Sequence, residues 1–242
     1  MRPASAHSTT RCEAMGKRLF DFAAAGLALA LLSPLFLGIM LVLRLTGEGK
    51  VFYGQERRGR FGRSFRILKF ATMLENSPNL PGGDITVGND PRILPIGHFL
   101  RDTKINELPQ LINIVKGEMS VIGPRPLTLR VAALFPDDYW QRIAGLRPGL
   151  SGIGSIVFRD EETLLAKAPD RQAIYSKAIV PYKMALEIWY SENQSLIVDL
   201  KLIALTIAAV LRPNLLAEHY LSSLPPAPPE IAALRIQAKS RN

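Results

Sequence analysis

From Phe22 to Leu43 the chain carries no charged residue, a run of 22 positions broken in character only by Ser33-Pro34. That length suffices to cross a bilayer core of roughly 30 Å. Three structures could hold such a run. A cleaved signal peptide is disfavoured, because the run is too long and no small-x-small cleavage site follows it. A kinked transmembrane helix and a re-entrant hairpin remain. Pro34 sits in mid-run, where proline removes a ladder hydrogen bond and bends a helix. Both flanks are basic, with Arg11, Lys17 and Arg18 before the run and Arg44 and Lys50 after it. Two positive ends satisfy the positive-inside rule when both face the cytoplasm. These features favour the hairpin, and a through-going kinked helix stays open on physics alone.

The rest of the chain alternates on shorter periods. Residues 51–70 read as two strands around a Gly-rich turn, with Phe61, Phe65, Ile67 and Phe70 as apolar anchors. Arg57, Arg58, Arg60, Arg63, Arg66 and Lys69 make this hairpin strongly basic, suited to lipid headgroups or a diphosphate. A solvated basic edge is the plainer reading. Residues 76–92, dense in Pro, Gly, Asn and Asp, read as a loop.

Residues 101–126 hold the densest mixture of charges, amides and turn residues. Pro109 suits the first turn of a helix, and Gly117 suits its end. Leu108, Leu111, Ile112 and Val115 make one buried stripe, while Asn106, Gln110 and Asn113 fall on another face close to Glu107. Polar groups thus gather at a helix N-terminus, which attracts anions. An amphipathic helix with an ordinary wet face fits the same pattern.

Residues 127–144 read as helix with a restart at Pro136-Asp137-Asp138. Leu146 to Phe158 reads as a Gly-rich turn running into a strand, without P-loop spacing. Arg159-Asp160-Glu161-Glu162 reads as a solvated turn or helix start. Helices are expected over 171–192 and from Ser195 to Leu211. The second carries Asp199 and Lys201 and is short for a span, which suits a core helix or one lying on a membrane surface. Residues 1–14 read as a loose extension, and the tail from Pro213 has no core pattern.

Charge narrows the partners. A net charge of +9 and a pI near 9.9 point to an anionic partner: nucleic acid, a phosphorylated substrate or an anionic membrane face. A hydrophobic content of 48% argues against disorder. No nucleic-acid recognition module is visible, and such a partner leaves the apolar run unexplained. Cys12 stands alone, so there is no disulfide framework, and His7, His98 and His219 lack metal-ligand spacing.

The motifs Lys17-Arg18-x-x-Asp21, Ser33-Pro34, Lys69-Phe70-x-Thr72-Met73, Asp90-Pro91-Arg92-Ile93 with Gly97 and Glu107-Leu108-Pro109-Gln110-Leu111 occur in that order. Lys116-Gly117-Glu118-Met119-Ser120, Gly123-Pro124-Arg125-Pro126, Arg147-Pro148-Gly149-Leu150 and Asp199-Leu200-Lys201 follow. Together they resemble the bacterial sugar transferases, small monotopic polyprenyl-phosphate phosphoglycosyltransferases, from about Lys17 to Leu211.

The resemblance implies an enzyme that moves a phospho-sugar from a UDP-sugar to polyprenyl (undecaprenyl) phosphate, releasing UMP. That reaction starts capsule, exopolysaccharide or O-antigen assembly at the cytoplasmic face of the bacterial inner membrane. It implies an α+β, mainly helical fold: a re-entrant membrane helix broken at Ser33-Pro34, a small β-hairpin, and catalytic helices at the membrane surface. The expected division is extension 1–14, membrane helix 15–46, catalytic domain 47–212 and tail 213–242. Partners implied are a UDP-sugar, polyprenyl phosphate and membrane lipid, with a homodimer as a further expectation and nucleic acid excluded.

The resemblance also implies roles. An Asp-Glu pair does the central work, the Asp as nucleophile and the Glu holding Mg²⁺. Glu107 matches the Glu. Arg101 and Arg125 match residues facing phosphates, Lys69 matches a basic site position, and Asp199 a further acidic one. The nucleophile's position holds Asn106, and an amide is a far poorer nucleophile than a carboxylate. Four explanations stand: Asp102 takes over from one helical turn earlier, the lipid phosphate attacks directly, Asn106 deamidates, or the protein is a non-catalytic binder or scaffold. Retention of Glu107, Arg101, Arg125, Lys69 and Asp199 favours catalysis by direct transfer or by substitution. Two smaller departures are Ala71, where Arg or Lys is usual, and the stretch from Ser151 to Glu162, which replaces a Thr-Gly-Trp-Ala-Gln pattern. Neither permits a sugar to be named.

Overall fold

The computed structural model describes residues 4–46, 48–77, 90–159, 161–166, 170–211, 221 and 224–239. The described chain is mostly helical, with two two-stranded sheets. It opens on one long helix, α1 (Ala4–Leu45). The stretch expected to be a loose extension is therefore helical from Ala4. Its Met15–Leu45 portion is long and apolar enough to cross a membrane, and only 11% of its most apolar window is buried. A core helix of a soluble protein would be mostly enclosed.

α1 stays helical through Ser33-Pro34. The expected break is not seen: the helix is continuous, and the Ser33 side chain takes over a carbonyl that Pro34 leaves unserved. Pro34 has no N–H to offer the carbonyl of Ala30, and Ser33 Oγ donates to that same carbonyl at 2.8 Å. Both halves of α1 pack on the body. Ala25, Leu29 and Leu32 meet Ile67, Leu111, Ile114 and Met119, while Phe36, Met40 and Leu43 meet Phe70 and Leu100. Burying each of these larger side chains stabilises by about 1.5–3 kcal/mol.

The basic hairpin forms as expected: β1 (Phe52–Arg58) runs antiparallel to β2 (Ser64–Phe70), with Gln55 opposite Ile67. Ile67 and Phe70 are buried anchors. Phe61 is not: it lies in the turn at φ 55° and is 60% exposed. The reversal needs left-handed backbone there, and that geometry turns the ring outward.

Next come α2 (Pro95–Asp102), a 3₁₀ turn (Ile105–Glu107) and α3 (Gln110–Lys116). Pro109 precedes α3 and Gly117 ends it at φ 86°, as the sequence predicts. The expected wet face of α3 is in fact the most deeply buried: Gln110 and Asn113 are enclosed, whereas Ile112 and Val115 are half-buried. Asn113 completes the free edge of β2, accepting from Leu68 N (2.9 Å) and donating to Arg66 O (2.8 Å).

β3 (Ser120–Ile122) pairs in parallel with β4 (Gly149–Ser151). Between them lie α4 (Leu129–Ala132) and α5 (Asp137–Ile143), the restart coming at Pro136 as expected. The strand expected up to Phe158 is only these three residues, and α6 (Ile153–Val157) follows at once. The glycines explain this. A Cβ on Gly149 would lie 2.2 Å from Gly123 N, and one on Gly152 2.1 Å from Gly123 O. They permit two backbones to cross and do not cradle phosphate.

α7 (Glu161–Ala166) begins within the charged cluster read as a solvated turn or helix start, with Glu161 paired to Lys183. Helical structure then runs from Arg171 to Asn193, as α8 (Arg171–Ile174), a π-turn (Tyr175–Ile179) and α9 (Val180–Asn193). α10 (Leu196–Leu211) buries Asp199, Leu202 and Leu205 and exposes Leu196, Ile197, Leu200 and Ile207. The tail does contribute to the core. α11 (Pro229–Lys239) inserts Ile231 and Leu234 into the main cluster, and Leu221 joins them. One i, i+3 apolar pair is too little pattern to read in advance. The loop expected over 76–92 lies outside the described residues from 78 to 89.

Candidate active site

Lys104 decides where the acidic residue of the site points. At φ 60° it ends the α2 stretch in left-handed backbone and starts the 3₁₀ turn. Within that turn Ile105 packs against the core containing Phe70 and Leu100, Asn106 is 7% exposed, and Glu107 reaches into a cavity of about 610 Å³. Lys69, at the end of β2, meets it there: Lys69 Nζ donates to Glu107 Oε1 at 2.8 Å. Arg57, Arg66, Arg101, Lys104 and Arg125 line the same cavity, and Thr72 to Glu75 form a wall.

Three supports hold these walls. Gly97 lets α2 sit against residue 72, since a Cβ there would lie 2.3 Å from Thr72 O. Arg92 and Asp90 form a buried bidentate pair, Nε to Oδ1 at 2.8 Å and Nη2 to Oδ2 at 2.6 Å, and Arg92 Nη1 reaches Ser77 O. That pairing holds the Asp90 carboxyl down at about 2. The third support is Glu187, on α9. It accepts the backbone N–H of Arg125 at 3.2 Å and the hydroxyl of Tyr139, which fixes the Pro124-Arg125-Pro126 turn. Full burial raises its carboxyl above the ordinary range, against the pull of these bonds and of Lys183.

The cavity is a cationic field that holds the Lys69–Glu107 ion pair, with the exposed Lys50–Glu75 pair also on its lining. Burial lowers the Lys69 pKa; Glu107 opposes this, and Arg125 and Arg57 add to it, so the ammonium ends below an ordinary lysine. Burial pushes Glu107 up, but Lys69, Arg125 and Lys104 outweigh it and hold the carboxyl below its usual range. The pair thus sits within a wall of further cations. Such a site binds several anionic oxygens at once.

Of the residues expected at the site, Lys69, Arg101, Asn106, Glu107 and Arg125 are brought together. Asp102 is not. The left-handed step at Lys104 breaks the helical register that would have placed it beside Asn106, and it is exposed outside the cavity lining. Asp199 is not either. It is sealed under α1, accepting from Lys17 Nζ and Tyr190 OH at 2.5 Å each. Lys17 also donates to Ile122 O, and Arg18 caps the last carbonyls of α3, Ile114 O at 2.6 Å and Val115 O at 2.7 Å. The Lys17-Arg18-x-x-Asp21 motif is thereby a clasp: Asp21 Oδ1 accepts from Val121 N. Glu187 and Tyr139 carried no signal in the sequence, because Glu187 finds its partners in a backbone amide 62 residues away and in the Tyr139 hydroxyl 48 residues away.

The bacterial sugar transferase family model matches residues 12–213, which contain this cavity and the clasp. The chain belongs to the bacterial sugar transferases. It is 36% identical over 210 residues to the exopolysaccharide production protein ExoY of Rhizobium meliloti (strain 1021), covering 81% of this chain and 85% of that one. It is 32% identical to a UDP-galactose-lipid carrier transferase of Erwinia amylovora, over 81% of this chain and 40% of the relative. It is also 32% identical to an undecaprenyl-phosphate glucose phosphotransferase of Komagataeibacter xylinus, over 79% and 35%. The sugar transferase match makes this an enzyme of the transferase class. The matched region spans most of the apolar helix and the cavity together.

Proposed function

We propose that this sugar transferase moves a sugar 1-phosphate from a UDP-sugar to polyprenyl phosphate, at the cytoplasmic face of the inner membrane, to start exopolysaccharide assembly. The carrying observation is the Lys69–Glu107 pair inside a cavity walled by Arg57, Arg66, Arg101, Lys104 and Arg125. Two phosphorylated substrates need this charge. The relatives' names give the lipid acceptor and the sugar-phosphate chemistry. An α1 that touches the body on both sides of Pro34 supports a helix laid into one leaflet, because a perpendicular span would carry the body at one end. The exposed apolar faces of α1 and α10 would then meet lipid.

With Asn106 in place of a carboxylate and Asp102 outside the cavity, we favour direct transfer. An oxygen of the lipid phosphate attacks the sugar-bearing phosphorus. The bond from that phosphorus to the bridging oxygen breaks, and UMP leaves with the electron pair. Lys69, Arg101 and Arg125 hold the phosphate oxygens in place and offset charge as it develops. Asn106 Oδ1 is buried with no hydrogen-bond partner among the described residues, and Asn106 precedes Glu107 in the same 3₁₀ turn. Among the described residues no cluster of three or more acidic, His or Cys ligands exists. Glu107, through its carboxylate oxygens, would hold Mg²⁺ brought in on the substrate phosphates. When bound, it would neutralise phosphate charge. The test is UMP release from a panel of UDP-sugars, with and without polyprenyl phosphate and Mg²⁺. Release that requires both is expected, and none with both supplied would defeat the reading. Radiolabelled UDP-sugar alone should leave the native chain unlabelled; label on it that disappears in Asp102→Asn would replace direct transfer by a displaced nucleophile.

A further inference from the structure

A second cavity, of about 340 Å³, lies on the far side of the Pro124-Arg125-Pro126 turn, beneath the tip of the hairpin. Its volume falls within the range of about 300–1,000 Å³ that small-molecule sites occupy. Arg58, Gly62, Asp137, Trp140 and Gln141 line it, and Arg125 lines both cavities. Arg58 stacks over the ring of Trp140, 4.2 Å from its centroid. Arg58 Nε is nevertheless buried without a hydrogen-bond partner among the described residues. A donor held rigidly and left unpaired is costly unless something else accepts from it.

From these observations, and resting on the function proposed above, we infer that this cavity receives the nucleoside of the nucleotide donor, with Arg125 bridging its diphosphate into the Lys69–Glu107 cavity. Two further arguments give the direction. The acceptor must enter from the lipid side. Phe52 at the mouth of the larger cavity stacks on Phe70, and Phe70 packs on Phe36 of α1, so that mouth is continuous with the membrane helix. In phosphoryl transfer the attacking and leaving oxygens lie roughly in line. A lipid phosphate arriving from the α1 side would therefore expel UMP away from α1, and Arg125, which lines both cavities, offers it a path into the second one. No residue of α1 lines that cavity, so a water-soluble group can reach it without crossing the lipid path. Arg58 lines the cavity, so its guanidinium could donate to the heteroatoms of a pyrimidine ring.

The test uses the full chain in detergent and three probes: UMP, inorganic pyrophosphate and photoreactive 4-thio-UMP. Arg58→Met keeps a stem over Trp140 and removes the donor. It should weaken UMP at least about tenfold and leave pyrophosphate within about twofold. Unchanged UMP affinity would overturn the assignment. The native chain labelled with 4-thio-UMP should carry the label in 58–62 or 137–148, a readout that does not depend on any variant folding. Label confined to 50–55, 66–77 or 101–107 would overturn the assignment while turnover of UDP-sugar left the functional reading intact. A native chain that neither binds UMP nor turns over any UDP-sugar would overturn both.

Discussion

Lys69 with Glu107 and Lys17 with Asp199 are the same two functional groups in two settings. The first pair is 23% and 25% exposed and opens onto the larger cavity. The second is 15% and 1% exposed, is closed by Tyr190, and joins α1 to β3 and α10. Both belong to motifs that the sequence presents on equal terms. What separates them is access. A lysine–carboxylate pair that water and anions can reach is available to exchange its partner for a phosphate. A sealed pair cannot do so without unfolding its surroundings, and its work is to hold α1 on the body.

Asp199→Asn should break the sealed pair at the largest cost. It leaves Lys17 charged and almost buried without its counter-ion, about 3–5 kcal/mol of stability, read by thermal or denaturant unfolding in detergent. Protein that still folds should turn over nearly normally. A normal melting point with turnover abolished would instead return Asp199 to the chemistry.

Glu107→Ala should reverse that signature. Turnover should fall about 10²–10³-fold while the unfolding transition moves little, because the pair is partly solvated. A large loss of stability with activity retained would erase the distinction between the two pairs.

Asn113→Ala tests whether the expected polar face of α3 is structural. It leaves the edge of β2 unsatisfied at Leu68 N and Arg66 O, for about 1–3 kcal/mol. Since Lys69 follows directly, KM for the donor should rise with the loss of stability.

The pH response should sharpen the comparison further. Lys69 loses its proton below the ordinary lysine range, so pyrophosphate affinity should fall from the alkaline side early. Lys69→Arg, which stays charged, should remove that alkaline limb. Glu187 should show the smallest effect. Its folded pKa is raised, so its ionised form costs stability above the unfolded value and that cost is relieved as pH falls through the folded one. Glu187→Gln should therefore be neutral or slightly stabilising near pH 7 and keep turnover, whereas Glu187→Ala should release Arg125 and lower kcat.

Much of the architecture could be read in advance where one short period or one backbone rule governed it. The apolar run, the hairpin, the Gly117 stop and the Pro136 restart are of that kind. Asn113 could not, because an amide on a helix reads as solvated until a strand edge is brought against it. α11 could not, because Ile231 and Leu234 find their partners only across the chain. Asp102 was misplaced because helical spacing was carried across Lys104, and a left-handed residue there resets the register.

The sequence by itself determined the family, the apolar helix with its Ser33-Pro34 device, and the identity of Lys69, Arg101, Asn106, Glu107 and Arg125 as candidates. These follow from local order, composition and motif spacing. The tertiary structure alone decided which charged pairs share a cavity, that Asp199 belongs to the clasp, that Glu187 holds the Arg125 turn, and that a second cavity lies behind it. Burial and proximity between distant segments set those outcomes, and neither is a property of any residue's neighbours in the chain.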